Sequence, residues 1–271
     1  MKITAVIITK NEEKNIARCL DSLQGVADEI IVIDAFSQDK TAQICQKYPN
    51  LTFIKRPWEG YAAAKNYGNS LAKTAYILSI DADEVLSEAL QQEITEMKPI
   101  LRGGYLLPRL NHVGCQPVRS CGWYPDAKVR LFPCDEANWV GDYVHEKLSF
   151  HGNISVLKHD LWHFTYQSAT QFDEKMQNYA ILSAKEWVAK GKNMTWLWML
   201  LKVIFKFVHI YIFKAGFLDR QNGWLVSTLM SKSVYWKYLA LQKMYFPMRK
   251  RPSFSFSMSK IAAVSKAFGI F

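Results

Sequence analysis

At 271 residues the chain is long enough for one large domain or a catalytic domain with an appendage. Roughly 75% of the extended surface of a chain near this size is buried on folding, so size excludes no enzymatic class. The formal charge of +10 is unevenly placed. The first 150 residues carry 17 Lys and Arg against 19 Asp and Glu, and the remainder 17 against 5, a mildly acidic part followed by a strongly basic one.

A basic half of this kind suits nucleic acid, an anionic lipid surface, a phosphorylated acceptor or simply solvent. Nucleic acid is disfavoured because the basic residues are interleaved with long apolar runs and no zinc-finger spacing occurs. The five cysteines, Cys19, Cys45, Cys115, Cys121 and Cys134, contain no C-x-x-C pair. The opening MKITAVIITKNEEKN reads as a first strand, not an export signal, because acidic and amide residues interrupt its apolar run. Both features fit a reduced, cytosolic compartment.

In chain order, residues 3–8 read as a strand covered on both faces, followed by a polar loop and a helix over 15–23 with Ile16, Leu20 and Leu23 at helical spacing. A strand over 29–33 ends at Asp34, a helix is expected over 41–48, and a short strand over 51–55. A helix over 61–73 and a strand over 75–80 lead into the acidic segment Asp81-Ala82-Asp83-Glu84. This strand-helix rhythm predicts a doubly wound α/β domain with ligand sites outside the carboxyl ends of its strands. A helix near 87–97 follows, then strands over 105–110, 129–132 and 157–164, with a loop and strand over 139–148.

From Ser168 the pattern turns helical. The expected organisation is a catalytic domain over 1–165, a helical acceptor- or membrane-proximal region over 166–242, and a basic, aromatic-containing tail over 243–271. Residues 194–215 are strongly apolar but interrupted by Lys202, Lys206, His209 and Lys214, which favours an interfacial helix over a full span. A packed core helix with snorkelling lysines is the competing reading.

Asp81 and Asp83, one residue apart after a strand, suit Mg²⁺ or Mn²⁺ bridging a diphosphate, although an isolated D-x-D is also an ordinary acidic loop. Asp34, in the comparable position of an earlier strand, could accept a hydrogen bond from a base or ribose, or act as a turn residue. Lys65 could approach phosphates. Arg130 could pair with a phosphate or fix Asp126, and Trp123 could form a sugar platform or a packing anchor. Glu146 could serve as general base toward an acceptor hydroxyl, with His145 positioning it or binding phosphate.

The blocks TKNEE, VIDAFSQDKT, AAAKNYGNSLAKTAYILSIDADE, WYPDAKVRLF and VHEKL, in that order, resemble a family 2 glycosyltransferase of GT-A type. The resemblance is nearest to bacterial lipopolysaccharide core β-1,4-glucosyltransferases that add glucose to an inner-core heptose, and it covers approximately residues 1–240. It implies a Rossmann-like nucleotide-diphospho-sugar transferase domain followed by the helical, basic region. Thr9, Asn11 and Glu12 would surround the nucleotide, Asp34 would recognise it, and Lys65 and Asn66 would shape the donor pocket.

The resemblance also places Asp83, with Asp81 and His163, at an Mg²⁺ or Mn²⁺ ion. Glu84 would support the acidic loop, contact donor hydroxyls or cap the next helix. In Gly216-Phe217-Leu218-Asp219-Arg220, Arg220 stands where the family pattern has glycine, so acceptor roles for Asp219 and Arg220 stay open.

The implied reaction is metal-dependent inverting transfer of glucose from UDP-glucose to heptose, at the cytosolic face of a bacterial inner membrane with its anionic lipids. The alternatives are another UDP-sugar transferase acting on a surface glycan and an inactive sugar-nucleotide or membrane-binding scaffold. No nucleic-acid partner is expected.

Overall fold

A computed structural model describes residues 1–141, 146–166 and 168–246. The chain divides into two compact units. One comprises Met1–Arg119 with Trp123–Thr165; the other comprises Ser120–Gly122 and the chain from Tyr166 onward.

The first unit is built on strand β1 (Ile3–Thr9), buried at every position. It pairs in parallel with β2 (Glu29–Asp34) on one side and β4 (Tyr76–Asp81) on the other, and β2 pairs with β3 (Leu51–Lys55). Alternate side chains of β1 leave by opposite faces, and both faces are covered. Ile3, Ala5 and Ile7 join Ile16, Cys19, Leu20 and Leu23, which belong to or flank helix α1 (Ile16–Ser22). On the other face Ile8, Ile31 and Ile33 meet Ala64 of helix α3 (Tyr61–Leu71). This two-sided burial explains the nearly continuous apolar sequence of β1.

Gly68 lets α3 lie close to the sheet, because a Cβ there would stand 2.4 Å from Val6 Cγ1. Helix α2 (Thr41–Cys45) is shorter than its sequence pattern, stopping before Tyr48. Tyr48 instead donates from its hydroxyl to Asp21 at 2.7 Å, with the Ala17 carbonyl 3.1 Å away. Helix α4 (Glu88–Met97) is capped by Ser87, whose hydroxyl accepts from Leu90 N–H.

The large sheet runs β12-β6-β9-β4-β1-β2-β3, where β6 is Gly104–Leu107, β9 is Lys128–Pro133 and β12 is Ile154–Val156. A smaller sheet orders β5 (Glu84–Leu86), β13 (Leu161–Tyr166), β7 (Arg109–Val113) and β8 (Gln116–Pro117). Strands β10 (Ala137–Val140) and β11 (Lys147–Phe150) form an antiparallel pair. The single strand expected over 105–110 is two strands in different sheets, parted at Pro108. Proline has no N–H to continue a ladder, and its carbonyl accepts from Leu161 instead. The strand expected over 157–164 begins at Leu161, and β5 replaces part of the expected acidic loop.

The second unit contains helices α5 (Ala169–Ala189), α6 (Trp196–Val208, continued by a wider turn over His209–Phe213) and α7 (Arg220–Tyr245). Its core gathers Ala184, Met194, Met199, Tyr238, Ala240 and Leu241. Most of the tail expected over 243–271 lies outside the described residues, as does His145.

Candidate active site

The strand order of the large sheet reverses between β1 and β4, since β2 and β3 extend to one side of β1 and β4 returns to the other. In open α/β sheets the crevice beyond the carboxyl ends at such a reversal is where ligands bind. Register brings the predicted residues there together: Thr9 lies opposite Asp34, and Ile8 opposite Asp81.

Beyond β1 and β2 the two loops are tied to each other. Asp34 is fully buried, its carboxylate accepting from Ser37 N–H (2.9 Å) and Ser37 hydroxyl (2.5 Å). Asn11 takes a left-handed backbone conformation, φ 56°. Its N–H donates to Ser37 Oγ and its amide oxygen accepts from Gln38 N–H. Glu12 N–H donates to Thr41 Oγ1, and Asp39 accepts from Glu13 N–H. Asp34 and Asn11 therefore shape this rim through their own side chains, while the buried Thr9 hydroxyl finds no hydrogen-bond partner among the described residues.

Beyond β4 a chain of alternating charges fills the floor. Glu84 is completely buried and accepts from Asp81 N–H (2.9 Å), Arg130 (2.6 Å) and Arg109 (3.1 Å). Arg130, itself buried, also binds Asp81 Oδ2 at 2.5 Å. Lys65 Nζ lies 3.2 Å from both Asp81 Oδ1 and Glu146 Oε1, and 4.4 Å from the centre of the Trp139 ring. Burial alone would raise the Asp81 pKa, but the Arg130 and Lys65 charges overcome it and hold the carboxyl well below the usual range. Burial would likewise lower Arg130, but Asp81 and Glu84 raise it, so it stays a cation.

These contacts revise several expectations. Arg130 binds Asp81 and Glu84, whereas Asp126 is paired with Arg109 and Lys128. A guanidinium on β9 faces β4, its sheet neighbour, which the linear spacing of Asp126 and Arg130 does not reveal. Glu84 caps no helix; that role belongs to Ser87. Asn66 binds the Trp139 backbone at both ends, donating to its carbonyl and accepting from its N–H, each at 2.8 Å. Asn66 thus anchors β10. Lys65 is buried in ion pairs and does not project from α3 as an exposed lysine would.

Asp83 and His163 meet at 3.3 Å, Oδ2 to Nε2. Asn111 sets the imidazole: its Nδ2 donates to the Trp123 carbonyl (3.1 Å), so its Oδ1 faces His163 Nδ1 at 2.7 Å. This network assigns the proton to Nδ1 and turns the Nε2 lone pair toward the Asp83 carboxylate. Two acceptors face one another, a contact that closes with a proton or a shared cation. Among the described residues no group of three His, Cys, Asp or Glu side chains is arranged to hold a metal ion. Asp83 and His163 supply one carboxylate oxygen and one imidazole nitrogen, so an ion shared by them would need its remaining ligands from diphosphate and water. Asp81, engaged by Arg130 and Lys65, is the less available carboxylate.

Trp123 is partly buried, and its carbonyl orients Asn111. Asp219 belongs to the second unit, where its carboxylate accepts from both the N–H (2.7 Å) and the hydroxyl (2.5 Å) of Ser120. Arg220 has φ 49°, the left-handed region that favours glycine.

Sequence reasoning missed Arg109 and Asn111, and it missed Arg18, whose guanidinium lies 3.6 Å from the centre of the Phe164 ring. The one available signal was an arginine and an asparagine embedded in the apolar run LLPRLNHV, where polar side chains need buried partners.

The glycosyl transferase family 2 signature matches residues 4–104, which carry β1 to β5 and the acidic segment. The chain is 30% identical over 260 residues to an uncharacterized glycosyltransferase of Rickettsia conorii, covering 90% of this chain and 89% of that protein. It is 25% identical over 261 residues to the lipopolysaccharide core biosynthesis glycosyltransferase LpsC of Rhizobium meliloti, covering 88% and 93%. The crystal structure of S. aureus TarS residues 1–349 aligns over 93% of each chain with a TM-score of 0.44 and 16% identity. The mixed α/β sheet with its acidic carboxyl edge is GT-A-like, and the chain belongs to glycosyl transferase family 2.

Proposed function

We propose that the protein transfers glucose with inversion from UDP-glucose to an inner-core heptose of lipopolysaccharide, forming a β-1,4 linkage. The observation that carries the reading is the juxtaposition of an Asp83–His163 pair with the Asp81–Lys65–Glu146 chain at the β1/β4 reversal. One arm offers donors to a cation on a diphosphate, and the other ends in a carboxylate suited to deprotonating a hydroxyl. The similarity to LpsC supports a lipopolysaccharide core acceptor.

Asp83 and His163 would hold the divalent ion, Mg²⁺ or Mn²⁺, which supplies charge neutralisation to the departing diphosphate. Arg130 and Lys65 keep Asp81 ionised, and Arg130 with Arg109 keeps the fully buried Glu84 compensated. Asp81 N–H in turn bonds Glu84, so the loop presenting Asp83 is fixed from below. Glu146 accepts the acceptor hydroxyl proton, and Lys65 Nζ, 3.2 Å from its carboxylate, holds it in position. A single base suffices for inversion, because attack on the face opposite the leaving UDP turns an α-linked donor into a β product.

The test is transfer by the purified chain from UDP-glucose, UDP-galactose and UDP-N-acetylglucosamine to a heptose-terminated core oligosaccharide. Preferred transfer from UDP-glucose with a β-linked product is expected. Robust transfer only from UDP-N-acetylglucosamine would reject the glucose assignment and keep the family.

A further inference from the structure

Helix α6 and its continuation, Trp196–Phe213, are long and apolar enough by composition to cross a membrane, yet 11% of these residues are buried. In the second unit the helix buries Met199 in the shared core with Tyr238 and Leu241 of α7. Leu201, Ile204 and Phe205 stand four, seven and eight residues after Leu197 within α6, so these four fall on one stripe. They are 49–67% exposed. A contiguous apolar stripe of this kind is uncommon on a surface that meets only water.

Charge identifies what covers it. From Trp187 to Leu218 the chain contains five lysines and no aspartate or glutamate. Lys202 lies beside the stripe, with Nζ 5.2 Å from the centre of the Trp187 ring. Lys206 donates to Ser233 Oγ of α7 at 3.2 Å. A second copy of the chain docking stripe to stripe would bring like charges together without an acid to offset them. A full span would carry Lys202 and Lys206 into the hydrocarbon and strip α7 from the opposite face. A helix lying in the plane of an anionic bilayer satisfies both features, with its apolar side chains among acyl chains and Lys202 beside them at headgroup level, while Lys206 stays bonded to α7.

We propose that α6 is an in-plane docking helix for a bilayer rich in anionic phospholipid. The experiment is co-sedimentation of the full chain with phosphatidylcholine vesicles containing or lacking phosphatidylglycerol, alongside the double variant Leu201→Glu, Phe205→Glu. The unaltered chain should bind the phosphatidylglycerol vesicles. Binding should fall at least about tenfold without that lipid or at high salt, and by a similar factor in the double variant. Quenching of tryptophan fluorescence by brominated lipid in the unaltered chain gives a reading independent of the variant's folding. The proposal is overturned if the unaltered chain stays in the supernatant with anionic vesicles. It is equally overturned if the chain is a dimer that the double variant converts to monomers while vesicle binding is unchanged. Neither readout involves a sugar donor, so the outcome is independent of the proposed transfer reaction.

Discussion

Glu84 and Arg130 are where the site depends most on its surroundings, because a fully buried carboxylate is tolerated only when paired. Arg130→Met leaves Glu84 with Arg109 alone and Asp81 with Lys65 alone, so the unfolding free energy should drop by about 3–5 kcal/mol in urea titrations. Glu146→Gln keeps the shape and removes the base. UDP affinity should stay near that of the unaltered protein while kcat falls roughly 10²–10⁴-fold. Asn111→Ala removes one of the two groups, with the Thr165 hydroxyl, that orient the His163 ring. Mn²⁺ affinity in the presence of UDP, followed by electron paramagnetic resonance, should weaken about 10–100-fold, the usual cost of losing a group that orients a metal ligand. An affinity that is also unchanged in His163→Ala would remove His163 from the ion. In the sequence Asp81, Asp83 and Glu146 stand out because acids after a strand or beside a histidine have obvious chemistry. Arg109, Asn111 and the buried role of Glu84 do not, because the fold brings their partners together from 25 or more positions away in the chain.

At the level of elements, close approach decides what α3 and α7 tolerate. Gly68→Ala would drive a methyl group into Val6, which is packed against Ile77 and Phe132. The expected loss is about 1–3 kcal/mol, read from thermal melts. Arg220 occupies a backbone conformation at φ 49° that costs a side-chain-bearing residue roughly 1–2 kcal/mol. Arg220→Gly should therefore leave stability unchanged or raise it by up to about 1 kcal/mol, the added flexibility of the unfolded chain offsetting part of the gain. A clear destabilisation would mean that the guanidinium makes a compensating contact. The seven helices and strands from β1 to β4 are legible because a period of 2 or 3.6 in apolar residues is a local property. The division of 104–113 into β6 and β7 is less so, since its apolar character is continuous and only Pro108 marks the break.

Across the whole molecule, ionised aspartates dominate the response to acid. Asp28, Asp39, Asp81 and Asp126 are all shifted downward: burial opposes the shift, and hydrogen bonds or neighbouring cations outweigh it. A folded pKa below the unfolded value of about 3.9 means that the unfolded chain binds more protons. Stability from these groups is therefore fully present above about pH 5 and is lost as pH falls through and below about 4. Melting temperatures from pH 7 to 3 should show this decline, and Asp81→Asn should flatten it. The acidic-then-basic division of charge is visible at once in the sequence, and the lysine-interrupted apolar run over 194–215 reads as interfacial, but which of its side chains are exposed is set by the packing of α7 and is not legible.

Sugar transfer at the β4 edge with Glu146 as base is tested most directly by single-turnover transfer of labelled glucose from UDP-glucose to heptose-terminated core. The unaltered enzyme should yield β-linked product, and E146Q should bind UDP but release none. Equal product from E146Q, or no product from any UDP-sugar with the donor demonstrably bound, would contradict it.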